Sequence, residues 1–477
     1  MHMPTKSPRA TGKARVDDVN SRRGASPALL LGLSLGYFMV LLDTTVVTVA
    51  LPAIRADLGG DLSSLQWVSN GYTLTFAALL LTAGALSDKF GGRRVFLAGL
   101  WAFAIISGAS AAAGSIGMLI AMRTLLGVAG AALLPTSLAI IAASFSDPAA
   151  RAKAIGGWAA ITGAALATGP VLGGLLTDTV GWRAVFLVNV PVALIGIALT
   201  TALAGETPRR AGRGVDLAGQ VLAVTALAGL TYGLVESTPL GWGSPSVIGA
   251  LALAGVAGAA FVVVENRDAT SGSPPMLPMS MFRNRVFSAG LAAGLLVNFG
   301  LSGALFVLSL FFQESRGYSA LVAGLAFLPL TLPTAFNPIF TGRLVARIGP
   351  RLPAVVGFGL MALGALVQAP FTGSSTIAEV MTAVGLVTLG FGVSFAIPSL
   401  ISAVVASAAT QQTGIGAGAL NSARQTGAVL GVAVLGSIIA GWRTTASGTA
   451  VSLCVCAVLL LLGAAIVAVF LPEARRS

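Results

Sequence analysis

Of 477 residues, 56% are hydrophobic and only 9% are charged, with a mean hydropathy of +0.91, against a charged share of roughly 25% in soluble domains. These proportions exclude a soluble globular protein and point to an all-α polytopic membrane protein, since in hydrocarbon a chain must satisfy its backbone polar groups internally. The net charge of +12 would favour a nucleic acid partner in a soluble chain, but here the bases gather in short loops, so the expected surroundings are a lipid bilayer and no nucleic acid.

The only cysteines, Cys454 and Cys456, share the last apolar run, and the only histidine is His2. No disulfide framework, metal centre or histidine proton relay is supported, and no cofactor is expected.

Residues 1–26 are polar and basic, without a short apolar core followed by a cleavage site, and read as a disordered cytoplasmic tail rather than a signal peptide. Fourteen apolar runs of spanning length follow. They lie near 27–50, 66–87, 94–113, 117–140, 152–176, 184–204, 216–236, 247–265, 287–312, 319–342, 352–370, 378–402, 414–440 and 449–471. With the N-terminus inside, 22 of the 28 Lys and Arg fall in cytoplasmic segments, and only Arg55, Arg183, Arg316 and Arg443 fall outside. That bias predicts an even number of spans with both termini cytoplasmic. Arg123 and Arg424 remain inside spans.

A charged turn, Gly84-Ala-Leu-Ser-Asp-Lys-Phe-Gly-Gly-Arg-Arg94, separates the second and third runs and returns 258 positions later. Gly84 aligns with Gly342, Leu86 with Leu344, Lys89 with Arg347, Gly91 with Gly349, Arg93 with Arg351 and Gly99 with Gly357, while Ala346 stands opposite Asp88. With the seventh and eighth runs set aside as an insertion, both turns occupy the same place in two halves. The expected organisation is an N-terminal six-helix bundle at 27–204, an inserted helix pair with cytoplasmic linkers at 205–286, a C-terminal six-helix bundle at 287–471 and a second cytoplasmic tail at 472–477. A duplicated bundle is expected of a secondary transporter with its site between the halves.

Four stretches carry a family resemblance. The 84–94 turn resembles the signature loop of the major facilitator superfamily. Leu42-Asp-Thr-Thr-Val-Val-Thr-Val-Ala-Leu-Pro52 resembles the first-helix motif of its fourteen-helix drug:proton antiporter branch, with Thr48 where Asn is common. Arg123-Thr-Leu-Leu-Gly127, continuing to Gly130, is similar to the fourth-helix motif, with Leu126 where Gln is usual, and 163–174 is similar to the fifth-helix motif of antiporters. The resemblance covers nearly all of 27–471 and implies the major facilitator fold and proton-driven transport.

Asp43 is the foremost candidate, because a carboxyl inside a span costs at least about 2.5 kcal/mol to insert. It lies roughly 10 Å below an outer boundary near Ala50 at 1.5 Å per residue, and Arg123 lies at a similar depth in the same half. Such a pair would couple proton binding to a change in helix separation, or would simply lock two helices together. In the 84–94 turn, Gly84, Asp88, Gly91, Arg93 and Arg94 form a conformational latch. By resemblance, Asp88 would lie near the cytoplasmic N-terminus of the thirteenth span and Arg93 would bridge nearby groups. Gly163, Gly169, Pro170, Gly173 and Gly174 would let the fifth span press against its counterpart and seal the outer end. Tyr37, Asn70, Asn298, Phe299, Asn421, Arg424 and Gln425 are candidates for a substrate cavity, Arg424 with its neighbours equally for a helix-bridging patch. The 181–191 stretch reads as an interfacial anchor through Trp182 and Arg183.

The four lysines, Lys6, Lys13, Lys89 and Lys153, lie in no phosphate-binding loop, so an ion gradient must drive any uphill movement. The resemblance implies protons. The sequence thus reads as a monomeric, proton-coupled exporter of small hydrophobic substrates, drugs or antibiotics among them, in the inner membrane of a bacterium. A narrow proton-linked metabolite transporter is the alternative, and an integral-membrane enzyme a remote one. The scarcity of intramembrane carboxylates favours neutral or weakly charged substrates.

Overall fold

The computed structural model describes residues 26–145, 147–207, 209, 216–266, 275–409 and 412–473. Most of the expected N-terminal tail, parts of the two linkers and the end of the second tail lie outside these residues. Helix α1 is Pro27–Leu58, α2 Leu62–Phe90, α3 Gly92–Ala111, α4 Ile116–Ser144, α5 Pro148–Thr179, and α6 Ala184–Leu203 with a break at Val188. Then come α7, Leu217–Leu240, and α8, Pro245–Glu265. Helix α9, Arg285–Leu310, runs on through a π turn at Phe311–Ser315, and α10 is two segments, Ala320–Ala326 and Leu328–Ile348, bent by 43°. The chain closes with α11, Arg351–Gln368, α12, Thr376–Ser407, α13, Thr413–Ala440, and α14, Thr445–Phe470.

Long apolar runs make helix the only affordable local conformation in lipid, and short polar residues set where each begins. Ser26, Asp61, Ser115, Asp147 and Ser375 each accept a backbone N–H of the first turn, satisfying a donor that the helix itself leaves open. Glycine ends two helices at the repeated turn. Gly91 has φ +93 with its N–H on the Ser87 carbonyl at 2.9 Å, and Gly349 has φ +79 with its N–H on the Val345 carbonyl at 2.9 Å. A side chain is disfavoured at both positions.

The helices pack in the same pattern twice. In the first half α1 packs on α5 and α6, α2 on α4, and α3 on α4 and α6; in the second, α9 packs on α13 and α14, α10 on α12, and α11 on α12 and α14. The halves meet through α2 with α13 and through α5 with α10, while α7 and α8 pair and rest on α2 and α13 through α7. Twelve of the described helices are long and apolar enough to cross a membrane, or thirteen with bent α10 as one span. The difference from the fourteen expected runs is α2, which is 29 residues long but carries Gln66, Ser69, Asn70, Asp88 and Lys89 and is less apolar. This chain is a multi-pass helical membrane protein.

One end of the bundle carries the base-rich turns after α2, α4 and α10; the other carries the base-poor turns after α1, α5, α9 and α13. The halves are fastened at the base-poor end. Arg55 pairs with Glu314 at 2.6 Å, Ser309 Oγ donates to the Thr48 carbonyl at 2.8 Å, and Gln313 Nε2 donates to the Val49 carbonyl at 3.0 Å. Gln66 Nε2 adds bonds to the Val432 and Ala433 carbonyls at 2.9 and 2.8 Å. Towards the base-rich end a cavity of about 390 Å³ lies between α2, α4 and α13.

Candidate functional site

Asp43 and Arg123 meet in the interior of the first half. Both are buried, at 0% and 1% exposure, and Arg123 Nη1 is ion-paired to Asp43 Oδ2. Each charge has further partners, as burial requires. Arg123 Nε donates to the Val68 carbonyl at 2.9 Å, and its guanidinium lies over the Tyr72 ring at 4.5 Å and the Phe186 ring at 6.0 Å. The Tyr72 hydroxyl in turn donates to the Val40 carbonyl at 3.0 Å. On the carboxylate side, Asn189 Nδ2 donates to Asp43 Oδ1 at 3.0 Å and contacts Ser107 Oγ at 3.1 Å, while Ser107 donates to the Phe186 carbonyl at 3.0 Å. One polar knot therefore joins α1, α2, α3, α4 and α6.

Asn189 and Tyr72 were not singled out from the sequence. Asn189 lies in the 181–191 stretch, where Trp182 and Arg183 draw attention to the interface. They do bind there, Trp182 Nε1 donating to Asp57 Oδ2 at 3.0 Å and Arg183 Nη1 to the same oxygen at 2.6 Å. The usable signal for Asn189 is an amide within an apolar run, two residues before Pro191. The amide stands at the first residue of the second α6 segment, Asn189–Leu203.

The residues expected to form a latch separate into two groups. Gly84 and Asp88 line the cavity, together with Gly414 at the start of α13. Arg93 faces the other way, its Nη1 on Glu206 at 3.1 Å and its Nη2 on the Thr201 carbonyl at 3.0 Å. Arg94 reaches the same Glu206 at 3.6 Å. The turn thus ties α3 to the end of α6 and presents Asp88 to the mouth between the halves.

Three of the α5 glycines are places of closest approach. A Cβ added to Gly173 would meet the Val46 carbonyl oxygen of α1 at 2.7 Å, one at Gly169 would meet Thr45 Cβ at 2.8 Å, and one at Gly174 would meet the backbone of Ala320 and Leu321 in α10 at 2.7 Å. Pro170 is buried, and its carbonyl carbon lies 2.9 Å from where a Cβ on Gly324 of α10 would be. Beside this seam the Asp178 carboxylate accepts the N–H groups of Ala320 and Leu321 at 3.1 and 2.8 Å. Gly163 does not share it, because a Cβ there would meet nothing within 4 Å among the described residues.

The cavity candidates do not form one surface. Arg424 Nε donates to Asn298 Oδ1 at 3.2 Å and its Nη1 to Asn421 Oδ1 at 3.3 Å, bridging α13 to α9. Of this group only Asn421 lines the cavity described above. Tyr37 stacks on Trp158 with centroids 5.3 Å apart, tying α1 to α5. Phe299 is buried, and its backbone lies against Gly431 where α9 crosses α13. Gln425 is half-buried. Asn70 is buried, and among the described residues neither its Nδ2 nor its Oδ1 has a hydrogen-bond partner.

A helical bundle built twice, with an ion pair sealed inside one half and a cavity between the halves, is the framework of a membrane transporter rather than an enzyme. The Major Facilitator Superfamily pattern matches residues 33–432, and the chain belongs to that family. It is 36% identical over 419 residues to the tetracenomycin C resistance and export protein of Streptomyces glaucescens, covering 88% of this chain and 77% of that one. It is 35% identical over 462 residues to the methylenomycin A resistance protein of Bacillus subtilis strain 168, covering 94% and 97%. Among solved structures, it resembles a bacterial homologue of the human lysosomal transporter Spinster, inward-facing and occupied, with a TM-score of 0.65 and 18% identity over 92% of this chain and 95% of that one.

Proposed function

We propose that this protein is a proton-coupled antiporter that exports hydrophobic small molecules, antibiotics among them, by alternating access. The observation that carries this reading is the buried Asp43–Arg123 pair with its Asn189 clamp, a deeply buried carboxylate in the half that also carries the 84–94 turn. Protonating Asp43 discharges the pair, and the released Arg123 must find other acceptors. That change favours a different packing of α1 against α4, so proton binding and helix movement are linked. In the paired state Arg123 Nε is also held by the Val68 carbonyl, so it is the Nη1 donor that loses its partner on protonation.

In this reading α2 is the fourteenth span. Two six-helix bundles, 27–204 and 287–471, flank an inserted pair within 205–286. The base-rich end is cytoplasmic, with both termini, in the inner membrane of a bacterium. The cavity then opens inward, and the fastened end is the closed outer gate, where Pro170 and Gly174 of α5 meet α10 while Gly169 and Gly173 seat α5 on α1. Asp88 at the mouth closes onto the start of α13 when the outside opens, and Arg93 holds the turn that carries it. The Arg424, Asn298 and Asn421 patch bridges helices and borders the substrate path, with Asn70, Tyr37, Phe299 and Gln425 around it. The protein works as a monomer, without a cofactor. The drug-resistance and export names of its relatives support the direction of transport. The test is a susceptibility panel in an efflux-deficient host, with and without a protonophore. Protonophore-sensitive resistance to several hydrophobic compounds is the expected result, whereas uptake driving growth on one metabolite would replace this reading.

A further inference from the structure

The mouth of the cavity is not built by the two halves alone. Met276, in the linker that follows α8, lines it, and its sulfur lies 3.7 Å from Thr82 Oγ1 on α2. The linker is held there from α8, and α7 binds the same turn of α2 beside it. The N–H of Leu277 donates to Glu265 Oε2 at the end of α8 at 2.8 Å. Gln220 of α7 donates to the Ala78 carbonyl at 3.0 Å and accepts from the Thr82 hydroxyl. Gln220 of α7 and Met276 of the linker thus converge on one turn of α2, a few residues before Asp88.

The rest of the wall is aliphatic, from Leu80, Leu81, Leu134, Leu138 and Pro135, with Ser87, Asp88 and Asn421 as its polar points. No aromatic side chain is among its described lining residues, so the Met276 thioether is the polarisable group available to a ring. Sulfur beside an aromatic edge is favourable, and the unbranched chain adapts to rings of different outline.

We propose that Met276 is a specificity-determining residue, contributed by the inserted helix pair, that contacts the flat aromatic part of a substrate entering this mouth. The inference rests on the efflux reading of the same cavity. It gives the inserted pair a role in selecting substrate, beyond its apolar contact with lipid.

The test uses two probes of equal charge, ethidium with aromatic rings and decyltrimethylammonium without, in proteoliposomes of the full chain. Met276→Ala should raise KM for ethidium at least fivefold while leaving kcat, and both constants for decyltrimethylammonium, within twofold. Met276→Leu, which keeps volume and removes sulfur, should fall between. Equal changes for both probes, or none for either, would overturn the proposal. A second readout needs no transport: Met276→Cys in a background with Cys454 and Cys456 replaced by Ser, labelled with a maleimide. Ethidium should slow labelling of the introduced thiol and decyltrimethylammonium should not. Protection by ethidium without transport of either probe would tell against export of cationic compounds and leave the ring contact standing; transport without protection would defeat the ring contact and leave efflux standing.

Discussion

Gly174→Ala perturbs the proposed outer gate at a point where backbone leaves no room for a side chain. The new methyl would lie 2.7 Å from the Ala320 carbonyl carbon and from Leu321 Cα. Both belong to backbone, so no rotamer can move them aside. The Ala320 carbonyl oxygen is nearer still, so restoring ordinary contact at 3.4 Å requires α5 and α10 to part by more than about 0.7 Å, which also stretches the two N–H bonds to Asp178. Overpacking of this kind costs about 1–3 kcal/mol, and because it acts only where the two helices touch, it shifts the population about 5- to 150-fold away from this state. Gly163→Ala is the matched control. It makes the same exchange in the same helix, with the same gain in helix propensity, but its methyl meets nothing within 4 Å among the described residues. Spin labels at Val180 and Ser374, exposed positions in opposite halves at the base-poor end, would report the separation by double electron–electron resonance. Gly174→Ala should enlarge the long-distance population and slow transport, and Gly163→Ala should do neither. An unchanged distribution in Gly174→Ala, or the same shift in Gly163→Ala, would refute the reasoning.

Two further outcomes are expected. Asp88→Asn keeps the side chain's shape at the mouth while removing a charge that favours the N-terminal end of α13 by about 0.3–1 kcal/mol. Inward-facing molecules should therefore increase about two- to fivefold and turnover should slow, read by thiol accessibility at the two ends; unchanged accessibility at both would count against a latch. Arg424→Ala removes the one hydrogen bond that joins α13 to α9, to Asn298, and a second within α13, to Asn421; at about 1.5–3 kcal/mol for a bond from a charged donor, the loss should lower the thermal midpoint of the detergent-solubilised protein. An unaltered midpoint with lost transport would move Arg424 from bridge to substrate contact.

The elements that could be read in advance are those governed by local chemistry. Apolar run length set out the helices, and glycines at 91 and 349 marked one turn twice because only that residue enters the left-handed region without strain. Asp43 and Arg123 stood out because a charge in hydrocarbon is rare and two at one depth can meet. Their partners could not be read, since which carbonyl or amide faces a charge depends on how each helix is rotated and where it breaks. Asn189 reaches Asp43 where α6 packs on α1, and Tyr72 reaches Arg123 through the crossing of α2 with α4. Gly163 shows how a pattern can mislead. It stands six residues before Gly169, about 240° around the helix at 3.6 residues per turn, whereas Gly169 and Gly173 are four apart and share a face. The polar composition of α2 lowers its apolarity for a similar reason, since it lies against α4, α7 and α13 rather than lipid.

Proton coupling through Asp43 is most directly tested by Asp43→Asn in proteoliposomes, comparing substrate accumulation driven by an imposed pH gradient with exchange of labelled for unlabelled substrate without one. The amide can still bond to its neighbours but carries no exchangeable charge against Arg123, so gradient-driven accumulation should vanish while exchange persists. Accumulation at the wild-type level in that variant would contradict the account.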